Sequence, residues 1–141
     1  MEQIPAIIKG ESYTDHRGTL HFVNDFAMDQ VKRFYIIEHK DTEIIRAWRA
    51  HRIEQRWFHV IKGVFLIRLV KIDNWESPDR GLPVLEITLS ASSTEILHIP
   101  VGFASSIQAT ETNSSLLIFA DYGIENSKTD NYLYPADYFK L

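Results

Sequence analysis

The sequence predicts an all-β fold, built as an antiparallel sandwich or jelly roll. Three short runs are rich in β-branched and aromatic residues, which favour strands: Lys32 to His39, Arg56 to Lys62 and Val64 to Ile72. Clusters of turn-forming residues separate the runs, for example Asp15 to Gly18 and Ser77 to Gly81. Roughly eight to ten short strands at such spacing are typical of sandwiches and jelly rolls.

The hydrophobic pattern indicates how deeply individual strands are buried. Residues 84–90 are apolar at every odd-numbered position and mostly polar at the even ones, which predicts a half-buried strand. Residues 116–119 are apolar on both faces, as in the interior of a sandwich or barrel. Only the tail, around Pro135 to Phe139, is predicted to form a helical turn, because proline suits the first position of a helix.

Length and composition predict one folded domain spanning residues 1–141. The chain has 45% hydrophobic and 12% aromatic residues, which is enough for a core that needs no disulfide or metal. It contains no cysteine, and this excludes a disulfide framework, thiolate zinc sites and a cysteine nucleophile.

Charge and hydropathy restrict the partners that the chain is expected to have. The formal net charge is -4, whereas nucleic-acid binding needs a broad basic field, so no nucleic acid is expected. No run of about 18 apolar residues is present, and residues 1–13 lack the basic and long apolar regions of a signal peptide. We therefore expect a cytoplasmic protein that does not associate with a membrane.

The segment Arg46 to Arg56 (RAWRAHRIEQR) contains four arginines and one histidine. In an acidic chain, such a cluster suits a small anionic ligand, because guanidinium groups bind phosphate oxygens in bidentate fashion. The spacing of these arginines is close to the helical repeat of about 3.6 residues, so a helix would place them near one face. A strand would instead place Arg49 and His51 on one face. The β-rich surroundings favour the strand.

Five short motifs span most of the chain. They are Asp15 to Leu20 (DHRGTL), Val31 to Ile37 (VKRFYII), Arg46 to Arg52 (RAWRAHR), Ile99 to Ala104 (IPVGFA) and Ala120 to Tyr122 (ADY). In order and spacing the sequence resembles a group of small cupins, the nucleotide-sugar 3,4-ketoisomerases, which are relatives of the dTDP-4-dehydrorhamnose 3,5-epimerases. The resemblance covers residues 15–139. It implies a cupin-type antiparallel jelly-roll barrel that forms a homodimer. It also implies an enzyme of deoxysugar biosynthesis that binds a dTDP-linked 4-keto-6-deoxy sugar and needs no cofactor.

The chain departs from the family motif R-G-x-H-A-H-K, which here reads RAWRAHR. Arg49 replaces the first family histidine, usually the catalytic base, while the second is retained as His51. Metal-dependent cupins use three histidines and a carboxylate, and the equivalent positions here are Arg49, His51, Gln55 and Ser105. Because only one imidazole remains, no metal is expected.

The resemblance also implies roles for individual residues. His51 is the expected base that removes a proton next to the ketone, since a neutral imidazole titrates near working pH. Tyr122 is expected to protonate or orient the sugar, and Arg49 to hold an enediolate oxygen or a phosphate. The side chains predicted to bind the nucleotide sugar are Arg33, Tyr35, Arg46, Arg49, Gln55 and Ser105.

Two other interpretations remain open from the sequence. The arginines could pair with Glu54, Glu38 or Glu43 on a solvated face, and His51 could be an ordinary hydrogen-bonded histidine. The loss of the first family histidine also fits a cupin that binds a nucleotide sugar without catalysis.

Overall fold

The structure is a computed structural model that describes residues 3–141, apart from the side chains of residues 126 and 127. Within this range the chain forms twelve strands and a 3₁₀ helix, Ile124–Thr129, and no helix is long and apolar enough to cross a membrane. The strands in chain order are β1 (Ala6–Lys9), β2 (Glu11–Asp15), β3 (Gly18–Phe22), β4 (Arg33–His39), β5 (Ile45–Ala50), β6 (Arg56–Lys62), β7 (Val64–Lys71), β8 (Leu85–Ser90), β9 (Glu95–Ile99), β10 (Phe103–Ala109), β11 (Ser114–Ala120) and β12 (Tyr132–Leu133).

Two antiparallel sheets form the body of the molecule. The first has the strand order β1-β9-β6-β11-β4, the second has the order β12-β5-β10-β7-β8, and β2 with β3 forms a separate hairpin. The main core contains Phe58 and Ile118 from the first sheet, together with Phe65 and Ile107 from the second. The predicted all-β antiparallel class is therefore confirmed.

The strand predictions agree closely with the structure. The run Arg56 to Lys62 coincides with β6, and β4, β7 and β8 each differ by one residue from the predicted ranges. The helical alternative for the arginine cluster is wrong. Its first part forms β5, because this segment pairs with β10 on one side and with β12 on the other.

The tail forms a single hydrogen-bonded turn where a helical turn was predicted. Tyr138 N donates to Pro135 O, and the short 3₁₀ helix lies earlier, at Ile124–Thr129. The tail stays irregular because it packs its aromatic side chains back onto β5. The rings of Phe139 and Trp48 meet edge to face at 5.0 Å, and the indole Nε1 of Trp48 donates to Ala136 O.

A register shift in β5 sets the direction of its arginines. Ser105 pairs with Arg49 and Ile107 pairs with Arg46, so three steps along β5 match two steps along β10. Strict alternation would place residues 46 and 49 on opposite faces, whereas this bulge lets both exposed arginines line the same cavity. Trp48 lies on the other face and is buried under the tail.

Candidate functional site

A cavity of about 270 Å³ lies between the two sheets. Apolar side chains such as Ile37 and Ile118 form part of its wall. Its polar lining comes from β4, β5, β6 and β10, and consists of Tyr35, Arg46, Arg49, Arg56 and Ser105. Arg56 is buried, at 3% exposure, whereas Arg46 and Arg49 are exposed at the mouth.

A second cavity of about 270 Å³ adjoins the first. Arg33 and His51 line it, and Tyr35 and Arg49 belong to both cavities. Ligand pockets commonly occupy roughly 300–1,000 Å³, so the two cavities together have the size of a small-molecule site. The predicted placement of Arg49 and His51 on one face is reproduced, since both side chains face the second cavity.

His51 is held in one tautomer by the tail. Its Nδ1 lies 2.6 Å from the carbonyl oxygen of Asp130, which can only accept, so Nδ1 carries the hydrogen and Nε2 the lone pair. Burial, followed by the positive charge of Arg56, lowers the pKa of His51 from 6.5 to about 3, and Arg49 and Arg33 add to this effect. The imidazole is therefore neutral at physiological pH.

The carboxylate of Asp130 organises the turn that follows β5. It accepts hydrogen bonds from the backbone N–H groups of Arg52, Ile53 and Glu54, at 2.7 to 3.1 Å. Asp130 is only 1% exposed. One tail residue thus fixes both the tautomer of His51 and the path of the chain that carries Glu54.

Glu54 lies on the Nε2 side of His51 and pairs with Arg33, which lines the second cavity. Its Oε1 accepts a hydrogen bond of 3.1 Å from Arg33, while its buried Oε2 has no hydrogen-bond partner among the described residues and lies 3.4 Å from His51 Nε2. Burial raises the pKa of Glu54, against the lowering effect of Arg56 and Arg33. The contact with His51 becomes an ion pair only when the imidazole takes up a proton.

Arg46 is positioned by His39. Its Nε donates to His39 Nε2 at 3.1 Å, and the ring of His39 packs edge to face against Phe65. Burial and the charge of Arg46 lower the pKa of His39, which keeps the imidazole neutral and able to accept. The remaining N–H groups of Arg46 lie at the mouth of the first cavity.

Two predicted site residues lie away from both cavity linings. Gln55 donates from its side chain to Asp121 and accepts a 2.7 Å hydrogen bond from His98. Tyr122 contributes its backbone carbonyl, which accepts from Arg33 Nε at 3.1 Å. The structure therefore brings together Arg33, Tyr35, Arg46, Arg49, His51 and Ser105, and it leaves Gln55 and Tyr122 outside this group.

Three residues that shape the site had no individual role predicted from the sequence: Glu54, Arg56 and Asp130. Arg56 was included only as a member of the arginine cluster, and Glu54 only as a possible partner of its arginines. A signal existed for Arg56, because it alternates with Phe58 and Val60 on the inner face of β6. No local pattern connects Asp130 with His51, since they are far apart in the chain and meet only through the return of the tail.

The described residues contain no cluster of three or more His, Asp or Glu side chains arranged to hold a metal ion. The positions predicted to correspond to cupin metal ligands carry an arginine, an amide and a hydroxyl beside His51. Arginine cannot bind a cation, and amide and hydroxyl oxygens are weak ligands for transition metals. The donor set does not suit a transition metal.

Comparisons with known proteins give a clear result only at the level of structure. No protein-family model and no curated protein matches the sequence. A double mutant of the 3,4-ketoisomerase QdtA from Thermoanaerobacterium thermosaccharolyticum, in complex with TDP, is similar with a TM-score of 0.75 and 24% identity, over 99% of this chain and 94% of that chain.

Two further structures show the same fold. A single mutant of QdtA in complex with TDP-4-keto-6-deoxyglucose is similar with a TM-score of 0.73 and 24% identity, over 93% of this chain and 88% of that chain. The dTDP-4-dehydrorhamnose 3,5-epimerase from Sulfolobus tokodaii has a TM-score of 0.76 and 21% identity, over 97% of this chain and 80% of that chain. The predicted cupin-type jelly roll is confirmed.

Proposed function

We propose that the protein is a metal-independent isomerase or epimerase that acts on a dTDP-linked 4-keto-6-deoxy sugar. The observation that carries this proposal is the pair of adjoining cavities, in which arginines surround a neutral histidine of fixed tautomer. The shared fold with the ketoisomerase and epimerase structures supports it. The protein belongs, on this proposal, in the cytoplasm among enzymes of deoxysugar biosynthesis.

The mouth arginines bind the diphosphate in this proposal. Arg46 and Arg49 present exposed guanidinium groups, and Arg33 faces the adjoining cavity. Guanidinium groups form paired, charge-assisted hydrogen bonds with phosphate oxygens. The sugar then enters the space beside Tyr35 and Ser105.

His51 is the proposed base. Its Nε2 carries the lone pair, and the uptake of a proton there converts the 3.4 Å contact with Glu54 into an ion pair. A base with a pKa near 3 is weak at neutral pH. Burial is the main cause of this low pKa, and the charges of Arg56, Arg49 and Arg33 lower it further. A bound diphosphate would neutralise nearby arginines and so raise the pKa of His51.

We expect the protein to exchange a ring proton of dTDP-4-keto-6-deoxyglucose with solvent deuterium, and His51→Gln to slow this exchange by roughly 100-fold or more. Glutamine can still donate to the Asp130 carbonyl but cannot take a proton. Proton NMR in deuterated buffer at C3, C4 and C5 measures the exchange and any 3-keto product. His16→Gln, at an exposed turn, is the matched control.

A catalytically inactive nucleotide-sugar binder is the second candidate. It is favoured by Arg49, which stands where the resembling family has its base, and by the low pKa of His51. Line broadening of the sugar nucleotide by the wild-type protein, without exchange or product, would identify this function. Absence of both binding and exchange would contradict both candidates.

The protein is also proposed to be a homodimer, formed through the outer face of the first sheet. This outer face carries Phe34, Ile36, Ile61, Leu117 and Phe119, of which the first three are 64%, 49% and 48% exposed. A contiguous apolar face of this kind commonly marks an interaction surface. A second copy would cover it with an equivalent apolar face.

We expect Phe34→Asp to shift the protein from dimer to monomer, because a carboxylate would lose its water in the apolar contact. Light scattering coupled to gel filtration measures the mass. Val101→Asp, in the exposed turn between β9 and β10, is the control. A wild-type protein that remains monomeric at high micromolar concentration would contradict the dimer.

A further inference from the structure

Arg56 is a buried cation at the wall of the first cavity. It lies on β6, whose alternate residues Phe58 and Val60 belong to the main core, and it is only 3% exposed. Tyr35 lines the same cavity as Arg56, and the Cζ of Arg56 lies 5.3 Å from the ring centre of Phe58. The charge is thus held between a polar cavity and the apolar core.

The negative charge near Arg56 is only partly available to it. Burial lowers the pKa of Arg56, although Tyr35 and Glu54 act in the opposite direction. Glu54 already binds Arg33 through Oε1, and no Asp or Glu is among the described residues that line the first cavity. A buried charge that lacks a full opposite charge nearby is costly in free energy. A negatively charged group of a ligand in the cavity would therefore stabilise Arg56.

We propose, resting on the isomerase function above, that Arg56 is a catalytic residue that stabilises the enediolate oxygen together with Tyr35. In this step the C3–H bond of the 4-keto sugar breaks and its proton passes to His51. The electron pair of that bond forms a C3=C4 double bond, and the carbonyl electrons move onto O4. Arg56 and the Tyr35 hydroxyl donate hydrogen bonds to this oxygen. In solvent exchange, His51 returns a solvent-derived proton to C3 and the C4 carbonyl forms again. In a 3,4-keto shift, the C3 hydroxyl proton passes to O4, His51 gives its proton to C4, and the carbonyl forms at C3.

The position of Arg56 suits this role better than the positions of the other arginines. Arg46 and Arg49 are exposed, so water and salt screen their charges, which is acceptable for binding phosphates. Arg56 is withdrawn from water, and in a low-dielectric site a fixed charge interacts more strongly with charge that develops during the reaction. Its burial and its contact with the ring of Phe58 also fix its orientation in advance.

The test compares Arg56→Met and Arg56→Lys with the wild type. Methionine has a similar length and no charge. We expect both variants to bind TDP with a Kd within about twofold of the wild type. We expect kcat for exchange, measured by NMR with saturating dTDP-4-keto-6-deoxyglucose, to fall by roughly 100-fold or more in Arg56→Met and by less in Arg56→Lys. Arg68→Met is the control, since Arg68 pairs with Glu86 away from the cavity.

Each outcome of this test decides the proposal. Unchanged exchange in Arg56→Met would overturn it. A TDP Kd weakened at least tenfold, with kcat unchanged at saturation, would overturn it too and make Arg56 a phosphate ligand. If Arg56→Met does not fold, kcat of Arg56→Lys is compared with that of the wild type, provided that the two proteins bind TDP equally well. Wild-type protein that binds without exchange would refute the proposed isomerase and this inference together, whereas an active wild type with an equally active variant refutes the inference alone.

Discussion

We expect Asp130→Ala to lower the free energy of unfolding by about 3–5 kcal/mol and Tm by roughly 10 °C. The carboxylate accepts four short backbone contacts from Arg52, Ile53 and Glu54, in a place where Asp130 is 1% exposed. Removing it takes the partner from the buried N–H group of Glu54 and from the partly buried N–H groups of Arg52 and Ile53. Each such group costs about 1–3 kcal/mol.

The same substitution is expected to disturb the site as well as the fold. The turn at residues 52–54 connects β5, which carries the mouth arginines, with β6, which carries Arg56. Without its anchor, Glu54 loses its fixed position beside Nε2 of His51. We therefore expect weaker TDP binding even at temperatures where the variant is still folded.

Thermal and urea unfolding of Asp130→Ala measure the loss, and Asp137→Ala is the matched control. Asp137 is an exposed acidic residue of the same tail, so its removal should change Tm by no more than about 2 °C. Asp130→Asn retains one accepting oxygen and should fall between the wild type and the alanine variant. Equal stability of Asp130→Ala and the control would refute the role assigned to the carboxylate.

The sequence predicts the strands well because their signals are local. The run Arg56 to Lys62 became β6 without a change of bounds, since its aromatic and β-branched residues alternate across a pleated strand. Arg49 in β5 and His51, just beyond the end of β5, line the same cavity, as the alternation of side chains predicts. Local periodicity is sufficient for features of this kind.

The rest of the site depends on contacts that no local pattern contains. The position of both Arg46 and Arg49 at the same cavity results from a bulge, which appears only when β5 is paired with β10. Asp130 reaches His51 only because the tail returns to β5 through β12. Gln55 and Tyr122 were assigned to the site by motif position, yet their observed partners are His98, Asp121 and Arg33.

We expect His51 to make the protein sensitive to acid between about pH 6.5 and 3. Burial, with the charges of Arg56, Arg49 and Arg33, lowers the folded-state pKa to about 3, whereas the unfolded chain binds this proton near the ordinary value of 6.5. Stability is complete above pH 6.5, where neither state is protonated. As the pH falls toward 3, the unfolded state alone takes up the proton, so folding loses up to roughly 4–5 kcal/mol.

His51→Gln should remove most of this acid sensitivity. Glu54 acts in the opposite direction, because its raised pKa lets the folded state take up a proton first as the pH falls, and it is present in both proteins. His39 and His98, whose pKa values are also lowered by burial, likewise remain in both. The difference between wild type and variant in the free energy of unfolding, followed from pH 7.5 to 4, therefore isolates His51.

A parallel pH dependence of the two proteins would show that His51 titrates normally in the folded state. The ring-proton chemical shift of His51 provides an independent check, with and without TDP. In the proposed binding mode a bound diphosphate would neutralise Arg49 and Arg33, so we expect TDP to raise the pKa of His51 toward its ordinary value. A pKa that rises on binding would connect the acid sensitivity of the free protein to a base that gains strength when the nucleotide sugar is bound.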